Sequence, residues 1–359
     1  MTAVAVRAAR RSPASPLRRS LRKFTGRAAM TMVAIAVMGG FLMPLAYMGL
    51  TALKDQQQIT DSSAPIYPVT AQSFEYEGQA YPLLTVPIDG TTRDLAIVRK
   101  GREESDFIDP ANPQAGVITW QGRWRTLAPV YVFDPKIANF GQVWDEIEFP
   151  RLLGNTVFIA VTSTIGAVGS AIAVAYGFSR FRFRFKGPLF MVLLATIMLS
   201  AQATLVPSYI IFSRIGWAGT WLPLIVPHFF ANAYNVFLLR QYFMTIPLDL
   251  DEAAMIDGAS PFRILRSVIV PQAIPAITAV ALFHFFYSWN EFLLALVYVG
   301  GNPQLWPLTL GVQQFAALYV TRVPLVQASA IMTIAVPVVI FFLAQRAFMR
   351  GIVITGVEK

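Results

Sequence analysis

Two histidines and no cysteine leave this 359-residue chain little of the usual equipment for covalent or metal chemistry. Without cysteine there can be no thiol nucleophile, thiolate metal site, iron–sulfur cluster or disulfide. His228 and His284 stand far apart with no carboxylate pair beside them, a poor metal set, so each reads as a hydrogen-bonded packing residue and no metal is expected. Glu291 is the formal charge inside a long apolar stretch, next to Asn290 and Trp289. An ionisable side chain at membrane depth is costly and marks a candidate site. The three could line a pathway with hydrogen-bond acceptors and a stacking face, or Glu291 could sit near a helix end and meet water or a partner. Asn232 and Asn235 could face the same pathway or a neighbouring helix.

A second group of charges has more pattern. The segment QYFMTIPLDLDEAAMIDGASPFRILRSVIVPQAIP, residues 241–275, carries Asp249, Asp251 and Glu252 shortly after Pro247. Proline suits a first helical turn and acids suit the positive end of the helix dipole. Ala253 and Ala254 keep one face slim. Gly258 can take the left-handed conformation that ends a helix, after which Ser260 can cap a second helix with Pro261 at its first position. Pro271 should interrupt or kink the entry into the next apolar stretch. The expectation is two short helices joined at a glycine corner.

The rest of the chain must hold that corner in place, and its composition says how. Hydrophobic residues make up 55%, charged residues 14%, and the mean hydropathy is +0.53. These values lie well outside an ordinary soluble domain. A bilayer core of about 30 Å needs roughly 20 apolar residues of helix. Six uncharged or nearly uncharged stretches qualify: Ala28–Leu53, Leu152–Ser179, Gly187–Ser213, Ile215–Leu239, a span within Ser267–Val299, and Val323–Gln345. Gly300–Thr321 holds too many glycines and prolines for a lipid-exposed helix and reads as a loop, re-entrant or on the surface. Gly166, Gly169 and Ala173 suit close helix packing.

Net charge is +9, but the basic residues flank apolar segments and do not form a nucleic-acid patch. Residues 1–27 hold eight basic and no acidic side chains, and more basic residues follow the second and sixth stretches. Positive charge marks cytoplasmic segments, so both termini and residues 240–266 are expected inside. Residues 55–150 hold 14 of the 20 acidic residues and seven basic ones, and belong outside. Short strands are expected there at Tyr81–Pro87, Asp94–Val98 and Val117–Trp124, with turns at 88–91 and 109–113. An amphipathic helix should follow over Phe140–Phe149. The first stretch is too long for a signal peptide and is taken as a retained span. This divides the chain into a basic N-terminus (1–27), a first helix (28–53), an extracytoplasmic insert (54–150), a helical core (151–346) and a cytoplasmic tail (347–359).

Glu252-Ala253-Ala254, three residues, Gly258, then nine residues to Val268-Ile269-Val270-Pro271 resembles the EAA signature of ABC importer permeases. Val268 and Val270 stand where that pattern carries Ile and Leu. Phe237–Gln241 with Ile246-Pro247, Trp289–Phe292, Leu308–Gln314 and Gln345–Gly351 narrow the likeness to carbohydrate importers of the maltose-transporter type. It covers the first helix and residues 151–359. The resemblance implies an all-α polytopic membrane protein with the six helices of the type I importer permease fold, here with a small β-rich extracytoplasmic insert. It implies that Asp251, Glu252, Ala253, Ala254, Asp257, Gly258, Ala259 and Ser260 form a coupling helix in a groove of a separate ATPase. It also implies a second permease subunit, two ATPase subunits carrying ATP and magnesium, an external solute-binding protein, and alternating-access import of a sugar or sugar derivative in the inner membrane.

The chain itself has no glycine-rich phosphate loop of the G-x-x-x-x-G-K-[ST] kind. The same architecture could import peptides, amino acids or another small solute. A membrane-embedded hydrolase using Glu291 or the histidines lacks a nucleophile-and-base pattern, and a scaffold protein would show no solute-dependent ATP turnover.

Overall fold

A computed structural model of the protein describes residues 16–88, 90–316 and 321–353. The chain divides after Leu50 into two units. Helix α1, Pro16–Ala52, makes the first, and its stretch Thr25–Ala52 is long and apolar enough to cross a bilayer. Residues 1–15 and 354–359, the outer parts of the two basic or tail segments named above, lie outside the described residues.

The second unit opens with α2, Gln56–Thr60, capped by the Asp55 carboxylate. Strands β1 (Val69–Ala71), β2 (Ser73–Tyr76), β3 (Gln79–Ile88), β4 (Thr91–Arg99), β5 (Glu104–Ile108), β6 (Ile118–Gln121), β7 (Ala128–Pro129) and β8 (Tyr131–Phe133) follow. Strands β2 to β6 lie side by side in chain order, with β7 paired to β3, and β1 pairs separately with β8; every pairing is antiparallel. Leu84 faces Leu95 across β3 and β4. Alternation puts Leu84, Val86, Leu95, Ile97 and Phe107 on one buried face, which Trp120 and Trp124 help to cover.

Each expected strand has an observed counterpart. β5 carries no strand signal in its sequence, ESDFI, because its two buried apolar residues, Phe107 and Ile108, follow two acids and a serine. Asp89 of the expected 88–91 turn is not among the described residues, and Gly90 there has φ +76°.

Helix α3, Ala138–Glu146, is shorter than expected, because Glu148 adopts a left-handed conformation and Phe149 opens the next helix. That helix, α4, runs from Phe149 to Arg180 and is the axis of the core. Helices α5 (Lys186–Ala195) and α6 (Ala201–Arg214) follow, then α7 (Leu222–Ile225), α8 (Ala233–Thr245), α9 (Asp249–Ile256), α10 (Pro261–Ile264), α11 (Val270–Gln272), α12 (Ile274–Trp289), α13 (Leu293–Val299), α14 (Leu308–Val312) and α15 (Val323–Val353). The two ends of α4 differ in their packing. Val143, Phe149, Leu152, Trp289, Leu308 and Phe315 surround the first, and Ala171, Ala175, Leu239, Phe243, Ile264 and Ile269 the second.

Helix boundaries depart from expectation in two ways. Among the described residues, four stretches could cross a bilayer unbroken: Thr25–Ala52, Phe149–Arg180, Leu222–Thr245 and Val323–Gln345. The third starts later and ends later than the expected Ile215–Leu239. The expected third and fifth spans are bent pairs, 186–198 with 202–214 at 99° and 261–272 with 274–289 at 81°. The second bend is the interruption expected at Pro271; the first has no such signal, since uncharged composition reports length of apolar chain and not its direction. In the second pair the bend is where Pro271 and Pro275 remove backbone donors, and a π-helical turn at Leu265–Ile269 widens the helix just before Pro271.

Close packing along α4 uses Gly166, as expected, but within this chain not Gly169 or Ala173. Gly166 is required, since a Cβ there would meet the Phe229 ring at 2.4 Å. Gly169 and Ala173 are exposed, and Ala167, Ala171 and Ala175 are the buried small residues instead.

Candidate functional site

Helix α9 begins at Asp249 with Leu248 as its N-cap, so Pro247 precedes the first turn instead of entering it. Asp249, Asp251 and Glu252 occupy that turn, where negative charge complements the dipole. The helix ends at Gly258, φ +77°. Gly258 N–H donates to Met255 O at 3.0 Å and Ala259 N–H to Ala254 O at 2.9 Å, the paired bonds of a Schellman motif. Ala254 and Ala259 both pack on the same buried cluster. Ser260 Oγ then accepts from Arg263 N–H at 3.4 Å and Pro261 opens α10. Ser260→Ala is expected to lower stability by about 1 kcal/mol, read as a small downward shift of the thermal transition in detergent.

The base of this corner is clamped to the end of α4. Arg180 Nε lies 2.9 Å from Asp251 Oδ2, with both side chains at most 7% exposed, and Arg180 Nη2 donates to Ile246 O at 2.9 Å. Tyr176 OH donates to Pro261 O at 3.1 Å. Arg240 Nε donates to Phe178 O at 3.2 Å, tying α8 to the same end. The Arg180–Asp251 contact is an ion pair by distance only, because its N–H is not aimed along the line and Asp251 Oδ1 has no partner. Burial pushes the Asp251 carboxyl above its ordinary value and Arg180 pulls it back only in part.

Asp251 is buried and faces α4, so it anchors the corner and is not part of its outer surface. Glu252, Ala253, Asp257, Gly258 and Ser260 are exposed, while Ala254 and Ala259 are half-buried. Sequence reasoning missed what projects furthest: Ile256 is 86% exposed, Phe262 72% and Met255 59%. Three large apolar side chains on a charged, solvent-facing corner were the available signal.

The membrane-depth residues separate into three places. Asn232 caps α8 through its side-chain oxygen, accepting from Tyr234 and Asn235 N–H. Asn235 is buried, and its Nδ2 lies 3.4 Å from His284 Nδ1. The histidines are not lone packing residues: their rings meet edge to face at 4.8 Å, with Tyr287 within 6.3 Å of both. Together with Asn232 and Asn235 these three line a cavity of about 480 Å³.

Glu291 lies elsewhere, at the end of α12. Its Oε1 accepts from Leu294 N–H at 2.9 Å, capping α13, and its main-chain oxygen accepts from Thr309 Oγ1 at 2.9 Å. With Thr156, His228, Tyr287 and Ser288 it lines a space of about 20 Å³, room for about one water. Trp289 is 1% exposed within the core and its Nε1 has no partner. Asn290 Nδ2 donates to Phe286 O at 2.8 Å. Both residues border a mostly apolar groove of about 760 Å³ between α12, α14 and α15. Among the described residues no group of three His, Asp or Glu is placed to hold a metal ion.

Residues 167–353 match the family described as "Binding-protein-dependent transport system inner membrane component". The chain is 32% identical over 260 residues to an osmoprotective compounds uptake permease protein, GgtD, of Synechocystis sp., covering 70% of this chain and 85% of that one. It is 32% identical over 211 residues to an sn-glycerol-3-phosphate transport system permease protein, UgpE, of Agrobacterium fabrum, covering 58% and 74%. Its fold is similar to that of a chain in a bacterial ABC transporter involved in import of the acidic polysaccharide alginate, with a TM-score of 0.61, 20% identity, and coverage of 92% and 98%. A bent apolar bundle with an exposed corner anchored at Arg180, matched by this family across most of the bundle, leaves one conclusion: the chain belongs to the binding-protein-dependent transport system inner membrane components, the membrane-spanning permease subunits of ABC importers.

Proposed function

We propose that this permease subunit works in a complex with a second permease, two ATPase subunits and an external solute-binding protein, and imports a sugar or related polyol by alternating access. ATP and magnesium are held by the ATPase subunits. On our reading each bent pair is one crossing, giving six spans, and the basic N-terminal segment lies in the cytoplasm; both termini and the α9–α10 corner are then inside and the sheet at residues 69–133 outside. The permease is then not itself an enzyme. The relatives' named solutes, osmoprotective compounds and sn-glycerol-3-phosphate, support a small polar cargo.

The observation that carries the coupling role is the contrast within the corner: its base is buried against α4, while Met255, Ile256 and Phe262 stand free beside Glu252. Free apolar area on a rigid support is what a complementary groove buries, and a rigid element is what transmits a domain movement as a rigid-body shift.

The test is to purify the membrane complex and measure ATP hydrolysis with and without the binding protein. Ile256→Asp is expected to lose the co-purifying ATPase at least tenfold while the helical signal of the permease is kept. Retained ATPase at wild-type yield in that variant would remove the corner from the coupling interface.

A further inference from the structure

Among the described residues, His228, His284 and Tyr287 bring three polar rings together within 6.3 Å of one another, beside Asn232 and Asn235. They come from different parts of the chain: the turn before α8 and one face of α12. His284 is only 5% exposed, and its Nδ1 faces Asn235 while its Nε2 has no partner. A buried polar atom without a partner costs free energy unless something else satisfies it. The cavity it borders, about 480 Å³, is within the size range of small-molecule sites.

The chemistry around this cavity is selective by sign. Among the described residues, none bordering it or the adjoining smaller space is Lys or Arg, and the one ionisable carboxylate there is Glu291. An anionic solute would find no cation and would face Glu291 across low-dielectric surroundings, where like charges repel strongly. Imidazole, amide and phenol groups, in contrast, each both donate and accept, which matches hydroxyl groups that do the same. The aromatic side chains of Phe283 and Tyr287 in the lining add apolar contact area between those hydroxyls.

We infer that the His228–His284–Tyr287 cavity is a contact site for a neutral, polyhydroxylated solute and rejects phosphorylated or carboxylated ones. This rests on the permease role proposed above and narrows its cargo. A site built to hydrogen-bond hydroxyls should discriminate sharply, because a solute lacking them leaves buried polar atoms unpaired.

The absence of cysteine makes a direct test available. Phe283 lines the same cavity and is 49% exposed, so Phe283→Cys places the only thiol of this chain at the cavity while leaving His228, His284 and Tyr287 in place. In the assembled complex, ATP turnover is first measured with trehalose, sucrose, maltose, glycerol and sn-glycerol 3-phosphate. The rate at which a water-soluble thiol reagent modifies the introduced thiol is then measured with each.

The expected result is that the neutral solute that stimulates turnover slows modification at least tenfold, and that sn-glycerol 3-phosphate does not. Adding His284→Leu should abolish that protection, whereas His284→Gln, which still donates and accepts, should keep part of it. Protection by sn-glycerol 3-phosphate, stimulation by it alone, or undiminished protection in the His284→Leu background would overturn the inference and leave the permease role standing. A complex that hydrolyses no ATP in response to binding protein with any of the five would instead contradict the permease role.

Discussion

Arg180→Ala destabilises the protein by about 3–5 kcal/mol, whereas Arg180→Met combined with Asp251→Leu is close to neutral. The single change leaves the Asp251 carboxylate buried with no cation, and removing one partner of a buried ion pair costs on that order. The double change removes both desolvation penalties at once, and a buried pair replaced by apolar groups of similar bulk is often neutral or better. Here the pair is also imperfectly made, since Asp251 Oδ1 has no partner and burial already holds its carboxyl above the ordinary value. A raised carboxyl titration point means the folded state binds more protons than the unfolded one, so this group's contribution to stability falls as pH rises through the interval above the ordinary value. Thermal unfolding of the wild type, Arg180→Met, Asp251→Leu and the double variant in a double-mutant cycle measures the coupling. A double variant as unstable as Arg180→Ala would show that the Arg180 bond to Ile246 O dominates.

Gly258→Val is expected to reduce uptake at least tenfold with ATPase subunits still present. The corner needs φ +77° there, and a Cβ added at Gly258 meets nothing within 4 Å. The penalty is therefore conformational and not a clash. Left-handed backbone costs an ordinary L-residue roughly 1–2 kcal/mol and a β-branched one more, and about 1.4 kcal/mol is a decade in an equilibrium. The corner would relax toward a different turn, breaking the two bonds that fix Gly258 and Ala259 and shifting Ile256 relative to α10. Gly258→Asn, which tolerates that conformation better, should keep most of the activity. Uptake and ATP hydrolysis in proteoliposomes check both variants, and equal activity of Val and Gly would mean that corner geometry does not matter.

How much of this could be read from the residues depends on the kind of signal. The α9–Gly258–α10 corner was legible because each of its parts has a local cause: acids at a helix start, glycine at its end, Ser-Pro opening the next. The strands with alternating apolar residues were legible for the same reason. Features that depend on distant partners were not. Asp251 looked like its neighbour Glu252, and only the approach of α4 turns one inward and leaves the other in solvent. His228 and His284 looked solitary because nothing in either segment says that α12 passes beside the turn before α8. The bend beside Pro271 was legible from that proline, whereas the bend between residues 198 and 202 was not, because uncharged composition is blind to direction. Glu291, with equal claims to a pathway and to a helix end, is a cap for α13 that also borders a small polar space.

The coupling role requires the exposed side of that corner to meet an ATPase in the cytoplasm. Ile256→Cys, in a chain otherwise free of cysteine, allows the contact to be measured with a short bifunctional thiol cross-linker in intact membranes. The expected product joins this chain to a nucleotide-hydrolysing subunit, and the same thiol is labelled only by reagents that enter the cytoplasm. Labelling by an impermeant reagent added outside, with no such product, would contradict that role.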